Sequence, residues 1–490
     1  MEDFIKQPLR AQTFALSAFD MQGSFSNIPY AFFYENKGQD GKQEEFMPTV
    51  LLKQSLAQTL ESFPILLGHI KSTARCKLQI DLDPSHINWP DFCETTLPND
   101  SNVSFATLEA ANFSWKSWPE GVATVKPFAM PHGTTGDIKL LNVHVVRLRD
   151  NTGLILFVNC PHYVFDGAGY FAFVKEWASN MRCTASQSLP KPGTEYCHDR
   201  ACIQEYLTAR KRPLDPVSNA IYATANFFCD AMTWLSPVHL GRLLGKLGSL
   251  SPPGQAHLFH ITQQTLDSLQ KSSQEHLPEH VAHLSTNDLL VALVGRTYVQ
   301  SQKQPVPRAG WFSPAPPPET HFSVRIPCDA RPRLGMKHNF TGNLLMPILM
   351  RDTMEDYSQE TTAASLARSA LQVRRCVGNV DAALVSGYHD VLCQHPTSYT
   401  RPLSFAASHT TTSMVATSQV RFGLYDADFG FGKPAFVSLT PLFEGTYTMA
   451  AFLPPPPGKD GVYILLTTNK DAMTSIVEND FWRQTCELVW

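Results

Sequence analysis

The fold is decided by residues 153–181, which read GLILFVNCPHYVFDGAGYFAFVKEWASNM. The apolar run 153–160 is rich in branched and aromatic side chains and predicts a buried strand. Residues 168–181 predict a helix. Between these two elements lies the string His-Tyr-Val-Phe-Asp-Gly, residues 162–167. A histidine at the end of a strand, beside a short loop, is well placed to face a cleft, so His162 is the first candidate for a functional residue.

Two further residues of this string have a local structural use. Asp166 comes just before the predicted helix, where its carboxylate can cap free N–H groups, and Gly167 permits a tight turn. The pattern alone is weak, because a histidine four residues before an aspartate occurs by chance in many proteins. Taken by itself, it also fits a hydrogen-bonded core histidine without a catalytic role.

The rest of the chain alternates predicted helices and strands. Residues 48–62 place leucines at every fourth position on one helical face, and Phe63-Pro64 ends that helix. Residues 139–148 predict a strand adjacent to the one at 153–160, and a capping box at 285–288 starts another helix. Further strand-like runs lie at 322–326, 343–349, 434–440 and 461–467. This alternation predicts an α/β or mixed α+β fold.

Composition excludes several classes of protein. The chain has 490 residues, enough for about two to four domains, and its 43% apolar and 17% charged residues argue against disorder. A net charge of −4 supplies no basic excess for nucleic acid. The longest apolar runs are far shorter than the roughly 18 residues of a membrane span, and the N-terminus has no apolar signal segment.

The 11 cysteines are scattered along the chain and predict reduced thiols in the cytoplasm. Cys197, His198 and Cys202 lie close together, but no second ligand pair follows at a spacing that would suggest a zinc site. The sequence therefore predicts no metal.

The proline-rich region 190–216 is the best candidate for an interdomain linker, and it divides the chain into unequal halves. The residues that follow, 217–248, predict a helix packed on the fold, with a membrane-surface helix as the alternative. Proline-rich strings at 314–318 and 454–457 predict extended surface loops.

A second unusual string, Asp-Phe-Gly-Phe-Gly-Lys-Pro, occupies residues 428–434. Its glycines and its proline mark a sharp turn between packed segments. A kinase interpretation of Asp-Phe-Gly fails, because the glycine-rich loop and the other kinase motifs are missing.

Together, His-x-x-x-Asp-Gly and Asp-Phe-Gly-x-Gly-Lys-Pro resemble the BAHD acyltransferases, which use coenzyme A thioesters. Other family-like strings follow in the family's order and extend the resemblance from residue 16 to about residue 475. These strings are Leu16–Asp20, Leu52–Gly68, Trp177-Ala178, Ser285–Asp288, Asp329–Arg331 and Phe340–Asn343. The long loops, Asn287-Asp288 and the C-terminal Gly-Thr-Tyr-Thr-Met-Ala-Ala-Phe-Leu-Pro-Pro are most similar to fungal secondary-metabolite O-acetyltransferases.

The resemblance implies a mixed α/β fold of two chloramphenicol-acetyltransferase-like domains with a solvent channel between them. The N-terminal domain, residues 1–189, would carry His162. A crossover linker would span residues 190–216. The C-terminal domain, residues 217–490, would carry the Asp-Phe-Gly-Phe-Gly-Lys-Pro string.

The implied activity is that of an acyl-CoA-dependent O-acyltransferase. The enzyme would move an acyl group, by default acetyl, from acyl-CoA to a hydroxyl of a small hydrophobic secondary metabolite such as a terpenoid, an alkaloid or a polyketide. His162 would act as the general base in a ternary complex, without a metal, a permanently bound cofactor or an acyl-enzyme. We expect a cytoplasmic monomer whose partners are acyl-CoA and the acceptor, with neither nucleic acid nor an integral membrane segment.

The resemblance also suggests roles for other residues. Asp166 would point away from His162 and pair with Arg331 to hold the loop; the alternative is that Asp166 orients His162 as in a catalytic triad. An architectural role, remote from the reacting atoms, is expected for Asp428, Gly430 and Gly432.

Gln419 stands where many relatives carry tryptophan, and its amide is a candidate donor to the oxyanion of the tetrahedral intermediate. The alternative is that Gln419 lines the channel or contacts the pantetheine. Three hydroxyls are candidates for contact with the pantetheine arm of coenzyme A or, equally, plain capping and loop hydroxyls: Ser285, Thr286 and Ser418.

Two rival functions stay open on the sequence. In an extended chain Cys160 and His162 share a face, so a mechanism in which Cys160 is acylated is geometrically possible. The second rival is a non-acylating member of the fold that binds or cyclises a hydrophobic metabolite.

Overall fold

The computed structural model describes residues 2–5, 8–22, 27–37, 46–73, 77–121, 138–186, 194–216, 218–219, 254–279, 283–302, 321–337, 339–394, 413–440 and 448–490. The α-helices in these ranges are α1 (Thr49–Ser62), α2 (Phe105–Ala110), α3 (Gly167–Ala185), α4 (Gln263–Gln274), α5 (Thr286–Ser301), α6 (Arg331–Leu334), α7 (Met354–Ser358), α8 (Ala363–Gly378), α9 (Ala382–Gln394), α10 (Lys470–Glu478) and α11 (Asp480–Thr485).

The strands in the same ranges are β1 (Gln12–Ala15), β2 (Asn27–Glu35), β3 (His69–Thr73), β4 (Lys77–Leu82), β5 (Asp91–Thr96), β6 (Asn142–Arg147), β7 (Gly153–Pro161), β8 (Tyr196–Cys197), β9 (Gly254–Ile261), β10 (His321–Asp329), β11 (Asn339–Phe340), β12 (Leu345–Thr353), β13 (Ser413–Ser418), β14 (Phe436–Leu439), β15 (Met449–Leu453), β16 (Val462–Asn469) and β17 (Glu487–Leu488).

The local predictions are confirmed where the structure describes them. α1 buries its row of leucines and ends at Phe63, as predicted. β6 and β7 are antiparallel neighbours. α3 begins at Gly167 with Asp166 as its N-cap. Ser285 and Asp288 form the predicted capping box at the start of α5. The string at 217–248, apart from residues 218–219, and the string at 314–318 lie outside the described residues.

The first domain is built on a sheet whose described strands run in the order β14-β2-β7-β6-β5. Every residue of β7 is buried, which is expected of a strand covered on both faces. The helices α1 and α3 pack against each other, and the indole N–H of Trp177 donates to the carbonyl of Leu52 at 3.2 Å. These elements enclose the first hydrophobic core and hold the end of β7, with His162, at its edge.

The second domain is built on a sheet whose described strands run in the order β12-β10-β13-β15-β16-β9-β17. α5 is buried along nearly its whole length, because it packs between α8, α10 and the neighbouring short helix α7. The apolar side chains of α5, α8 and α10 join one face of this sheet in the second hydrophobic core.

The two domains share a junction that follows from the period of two along a strand. Ala450 and Phe452 of β15 belong to the second core, whereas Ala451 and Leu453 belong to the first. The sheet of the second domain is therefore packed on both faces. In addition, β14 from the C-terminal half pairs with β2, so this half contributes a strand to the first sheet.

The described part of the predicted crossover contacts both domains. Tyr196 packs against the first core, whereas Ile203 and Leu214 belong to the second. The boundaries expected at residues 189 and 217 lie outside the described ranges and stay a prediction. The fold is mixed α/β with two domains, as the sequence predicted. Among the described helices, none has both the length and the apolar character to cross a membrane.

Candidate active site

His162 directly follows β7 and is half-buried. Its Nδ1 lies 3.1 Å from Oδ1 of Asn343, and its backbone carbonyl accepts a hydrogen bond of 2.7 Å from Nδ2 of the same residue. An amide oxygen only accepts, so this pairing assigns the ring proton to Nδ1. Nε2 then has a free lone pair, and no residue in the described ranges occupies it.

The amide of Asn343 is held in this orientation by Asp20. Oδ1 of Asp20 accepts from the backbone N–H of Asn343 at 2.8 Å and from its Nδ2 at 3.1 Å. Oδ2 accepts from the backbone N–H and the hydroxyl of Ser17, and it pairs with Nε of Arg200 at 3.4 Å. Asp20 is fully buried, so this carboxylate is a fixed acceptor that determines which way the amide of Asn343 points.

The sequence did not predict this network. Asp20 and Asn343 entered only as members of family-like strings, and nothing in their local spacing relates them to His162. The sole available signal was that both strings carry a side chain able to orient an imidazole.

Asp166 and Arg331 form the predicted contact. Oδ2 of Asp166 lies 2.9 Å from Nη1 of Arg331, and Oδ1 lies 3.0 Å from Nη2. The same carboxylate accepts the backbone N–H groups of Gly169 and Leu344, each at 3.1 Å. Burial alone would lower the pKa of Arg331, but the negative charges of Asp166 and Asp329 raise it above its usual range.

None of these hydrogen bonds of Asp166 reaches His162. The triad alternative is therefore wrong in this structure, because the imidazole is oriented by Asn343 instead.

The glycines near the start of α3 allow the second half of the chain to come close. A Cβ at Gly167 would lie 2.4 Å from the ring of Phe422, and one at Gly169 would lie 2.1 Å from the carbonyl oxygen of Thr341. Both partners belong to the C-terminal half. The sequence Asp-Gly-Ala-Gly thus brings the residue before the helix into reach of Arg331 and Leu344.

Gln419 follows β13 and is 8% exposed. Its Oε1 accepts a hydrogen bond of 2.5 Å from the hydroxyl of Tyr30 on β2. Burial raises the pKa of Tyr30, so the hydroxyl keeps its proton and must donate. The amide nitrogen of Gln419 therefore points elsewhere, and among the described residues it has no partner. Tyr30 pairs with Val158, four residues before His162, but no hydrogen bond joins Gln419 to His162.

The Asp-Phe-Gly-Phe-Gly-Lys-Pro loop docks on the first domain. Oδ1 of Asp428 accepts from the backbone N–H groups of Gly430 and Gly432 at 2.8 and 3.2 Å, and both glycines have a positive φ. The carbonyl of Asp428 accepts from Arg182 on α3, and the ring of Phe429 meets Trp177 edge to face. These contacts fit the architectural role expected for the loop.

The three residues expected to contact the pantetheine lie at two places, the start of α5 and the end of β13. The hydroxyl of Ser285 accepts the backbone N–H of Asp288 as the cap of α5, and Thr286 is the first residue of that helix. Ser418 is exposed at the end of β13. None of the three forms a hydrogen bond with His162.

Cys160 lies two residues before His162 and is fully buried in the first core. Burial raises the pKa of its thiol well above the usual range, so the nucleophilic thiolate is suppressed. The rival mechanism in which Cys160 is acylated does not fit this environment.

The chain is similar to several known proteins over most of its length. Hydroxycinnamoyl-CoA:5-hydroxyanthranilate N-hydroxycinnamoyltransferase HHT1 of Avena sativa is 23% identical and covers 89% of this chain and 87% of its own. BAHD acyltransferase DCR of Arabidopsis thaliana is 23% identical over 88% of this chain and 80% of its own. The structure of F. graminearum TRI101 complexed with coenzyme A and deoxynivalenol matches with a TM-score of 0.71 and 18% identity, and covers 98% of this chain and 100% of its own.

The model of the Transferase family matches residues 4–86 and 255–481, together more than half of the sequence. The chain therefore belongs to the Transferase family, the family of the BAHD acyltransferases.

Proposed function

We propose that this protein transfers an acetyl group from acetyl-CoA to a hydroxyl of a small hydrophobic secondary metabolite. The observation that carries the proposal is the hydrogen bond between Nδ1 of His162 and Oδ1 of Asn343. It holds the imidazole in the one neutral tautomer whose Nε2 can accept a proton from a substrate. Membership of a family of acyltransferases supports the reaction class.

The coenzyme A and deoxynivalenol in the F. graminearum TRI101 complex support the choice of co-substrate and of a small-molecule acceptor. The name of HHT1 includes hydroxycinnamoyl-CoA and 5-hydroxyanthranilate, which indicates a second donor and a second kind of acceptor to test.

In the proposed reaction Nε2 of His162 removes the proton of the acceptor hydroxyl while its oxygen attacks the thioester carbonyl. The tetrahedral intermediate then collapses, the carbon–sulfur bond breaks, and the thiolate of coenzyme A takes the proton back from Nε2. Nδ1–H stays on Asn343 throughout. General-base catalysis of this kind contributes about 10²–10⁴-fold to the rate.

We further propose that the amide nitrogen of Gln419 donates to the oxyanion of that intermediate. Two observations support this role: the amide oxygen is already held by Tyr30, and the nitrogen has no partner within the described residues. A neutral donor suits a dry site, because it strengthens as charge develops on the oxygen. Contact of Gln419 with the pantetheine is the alternative.

Ser285, Thr286 and Ser418 are proposed to contact the pantetheine arm. The capping bond of Ser285 uses its oxygen as an acceptor and leaves its hydroxyl hydrogen available to donate. We propose that the enzyme works as a monomer in the cytoplasm, where the nine free cysteines of the described ranges would stay reduced.

The proposal is tested by incubating the purified protein with acetyl-CoA and a panel of terpenoid, indole-alkaloid and polyketide alcohols. Hydroxycinnamoyl-CoA and an aromatic amine extend the panel. Thiol release and the mass of the product are measured together. We expect thiol release only when an acceptor is present, and an acceptor heavier by one acyl group.

Two variants separate the mechanisms. We expect His162→Ala to remain folded and to lower kcat by at least about a hundredfold, whereas Cys160→Ala should retain most of the activity. An acyl group found on Cys160 after mixing with thioester alone would overturn direct transfer. Absence of both coenzyme A binding and thiol release would instead identify a non-acylating protein.

The acceptor is identified by mass spectrometry of the metabolite that accumulates when the gene is deleted. A metabolite lacking one acyl group names both halves of the reaction. Complementation with the His162→Ala gene should leave that metabolite unacylated.

A further inference from the structure

The crossover between the domains contains two thiols in near contact. Sγ of Cys197 lies 3.3 Å from Sγ of Cys202, and both side chains are half-buried rather than enclosed. The two residues are joined by a short turn, and neither has a role in the proposed acyl transfer. We propose that Cys197 and Cys202 form a redox-active dithiol that low-molecular-weight disulfides, such as oxidised glutathione, convert to an intramolecular disulfide.

The geometry requires little movement. A disulfide bond is about 2.05 Å long, so the two sulfur atoms must approach by about 1.2 Å. Cys197 ends β8, which is held by its parallel pairing with β11, whereas Cys202 lies in the 3₁₀ turn Arg200–Tyr206. Rotation of a side chain in the turn can supply most of this movement.

The two thiols have distinct chemical roles. Burial, with the neighbouring Cys197 as the next cause, raises the pKa of the Cys202 thiol, so we assign Cys202 as the resolving thiol and begin the reaction at Cys197. Its thiolate displaces one glutathione thiolate from oxidised glutathione and forms a mixed disulfide. The thiol of Cys202 then loses its proton and attacks the sulfur of Cys197, which releases the second glutathione. Two protein thiols are oxidised, and one oxidised glutathione becomes two reduced glutathiones.

The backbone carbonyl group of Cys197 connects the dithiol to the candidate active site. The backbone oxygen of Cys197 accepts the N–H of Thr341 at 3.1 Å and its hydroxyl at 3.3 Å. Thr341 is two residues before Asn343, the partner of His162. A shift of Cys197 toward Cys202 should therefore lengthen the hydrogen bond from Thr341. This consequence concerns the fold and does not depend on the proposed reaction.

The reduced state prevails in a cytoplasm, and disulfides there are usually transient and redox-sensing. The proposed pair fits that use because it is accessible and can close without unfolding of either domain.

The experiment treats the folded protein with oxidised glutathione, blocks the remaining thiols and digests it with trypsin. Trypsin cuts after Arg200, which lies between the two cysteines, so the two resulting peptides stay joined only if a disulfide links them. We expect the joined peptides with the loss of two hydrogens, and their separation by dithiothreitol. A Cys183→Ser background removes the other cysteine of the upstream peptide.

Matched variants make the result specific. In Cys202→Ser the reaction should stop with one glutathione on Cys197, whereas in Cys197→Ser the remaining Cys202 should react slowly. Exposed Cys93 is the internal reference for a thiol that can acquire only a mixed disulfide. The proposal would be overturned if the wild-type protein kept glutathione on Cys197, as is expected of Cys202→Ser. It would also be overturned if oxidised glutathione reacted with Cys93 but not with Cys197.

Hydrogen exchange tests the connection to the site. In the oxidised wild-type protein the Thr341 amide should exchange faster than in the reduced protein, whereas amides of β16 should not change. Cys202→Ser treated in the same way should show no change at Thr341. A disulfide that forms without altering this exchange would refute the coupling between Cys197 and Thr341.

Discussion

Replacement of Asp166 by alanine should destabilise the first domain strongly. The side chain of Asp166 is 1% exposed and that of Arg331 is 13% exposed. The carboxylate also accepts the backbone N–H groups of Gly169 and Leu344. Alanine would therefore remove the most deeply buried acceptor of the Arg331 guanidinium and leave two backbone donors without theirs.

The expected magnitude follows from this list of contacts. Breaking a buried ion pair from one side costs about 3–5 kcal/mol, and stranded backbone donors add to that cost. Arg331 retains Asp329 at 2.9 Å and the carbonyls of Phe340 and Gly342, which offsets part of the loss. We therefore expect about 3–5 kcal/mol. At about 2–4 °C per kcal/mol for a domain of this size, Tm should fall by about 6–20 °C.

Thermal unfolding, followed by circular dichroism at pH 7, measures this change. Asp390→Ala is the matched control, because Asp390 pairs with Lys211 on the surface, where the side chains are 38% and 45% exposed. Such a pair contributes about 0–1 kcal/mol. Asp166→Ala combined with Arg331→Leu should recover part of the loss, because no buried charge is stranded; Asp329, which also loses Arg331, is 40% exposed. An Asp166→Ala protein that unfolds within about 2 °C of the wild type would refute the reasoning.

Three further predictions concern the site and its surroundings. Asn343→Ala should lower kcat by about 10–100-fold with little change in KM for acyl-CoA, because the imidazole loses its fixed orientation; an unchanged kcat would remove the positioning role. Gln419→Leu should lower kcat by about 10²–10³-fold, and adding Tyr30→Phe should lower it little further, because both changes act on one donor. The control is Tyr34→Phe, which removes an equally buried hydroxyl that is bonded to another group. A drop of less than about fivefold for Gln419→Leu would exclude the donor role. Burial lowers the pKa of His198 to about 4, below the usual value of about 6.5, so its contribution to stability is complete above about pH 6.5 and is lost as pH falls toward 4. Urea unfolding should show that the difference between wild type and His198→Gln shrinks by about 2–3 kcal/mol from pH 7 to pH 4.5, and parallel pH profiles would contradict this.

What the sequence determined about this protein is local. The leucine row of α1, the apolar run of β7 and the capping aspartate before α3 each act within a few residues, so their patterns predict elements with correct types and nearly correct ends. The position of His162 at the end of a strand follows from the same local rules.

Only the tertiary structure decided which partners those residues have, and the partners determine which of their atoms can donate or accept a proton. The partner of His162 is 181 positions away, and the partner of Gln419 is 389 positions away. β14 joins the first sheet across the domain junction, and the thiols of Cys197 and Cys202 meet beside the turn that follows β8. No periodicity encodes such pairs, because each depends on how both domains pack. The sequence therefore located the histidine, whereas the packing of Asp20 against Asn343 determines which of its nitrogens is free to accept a proton.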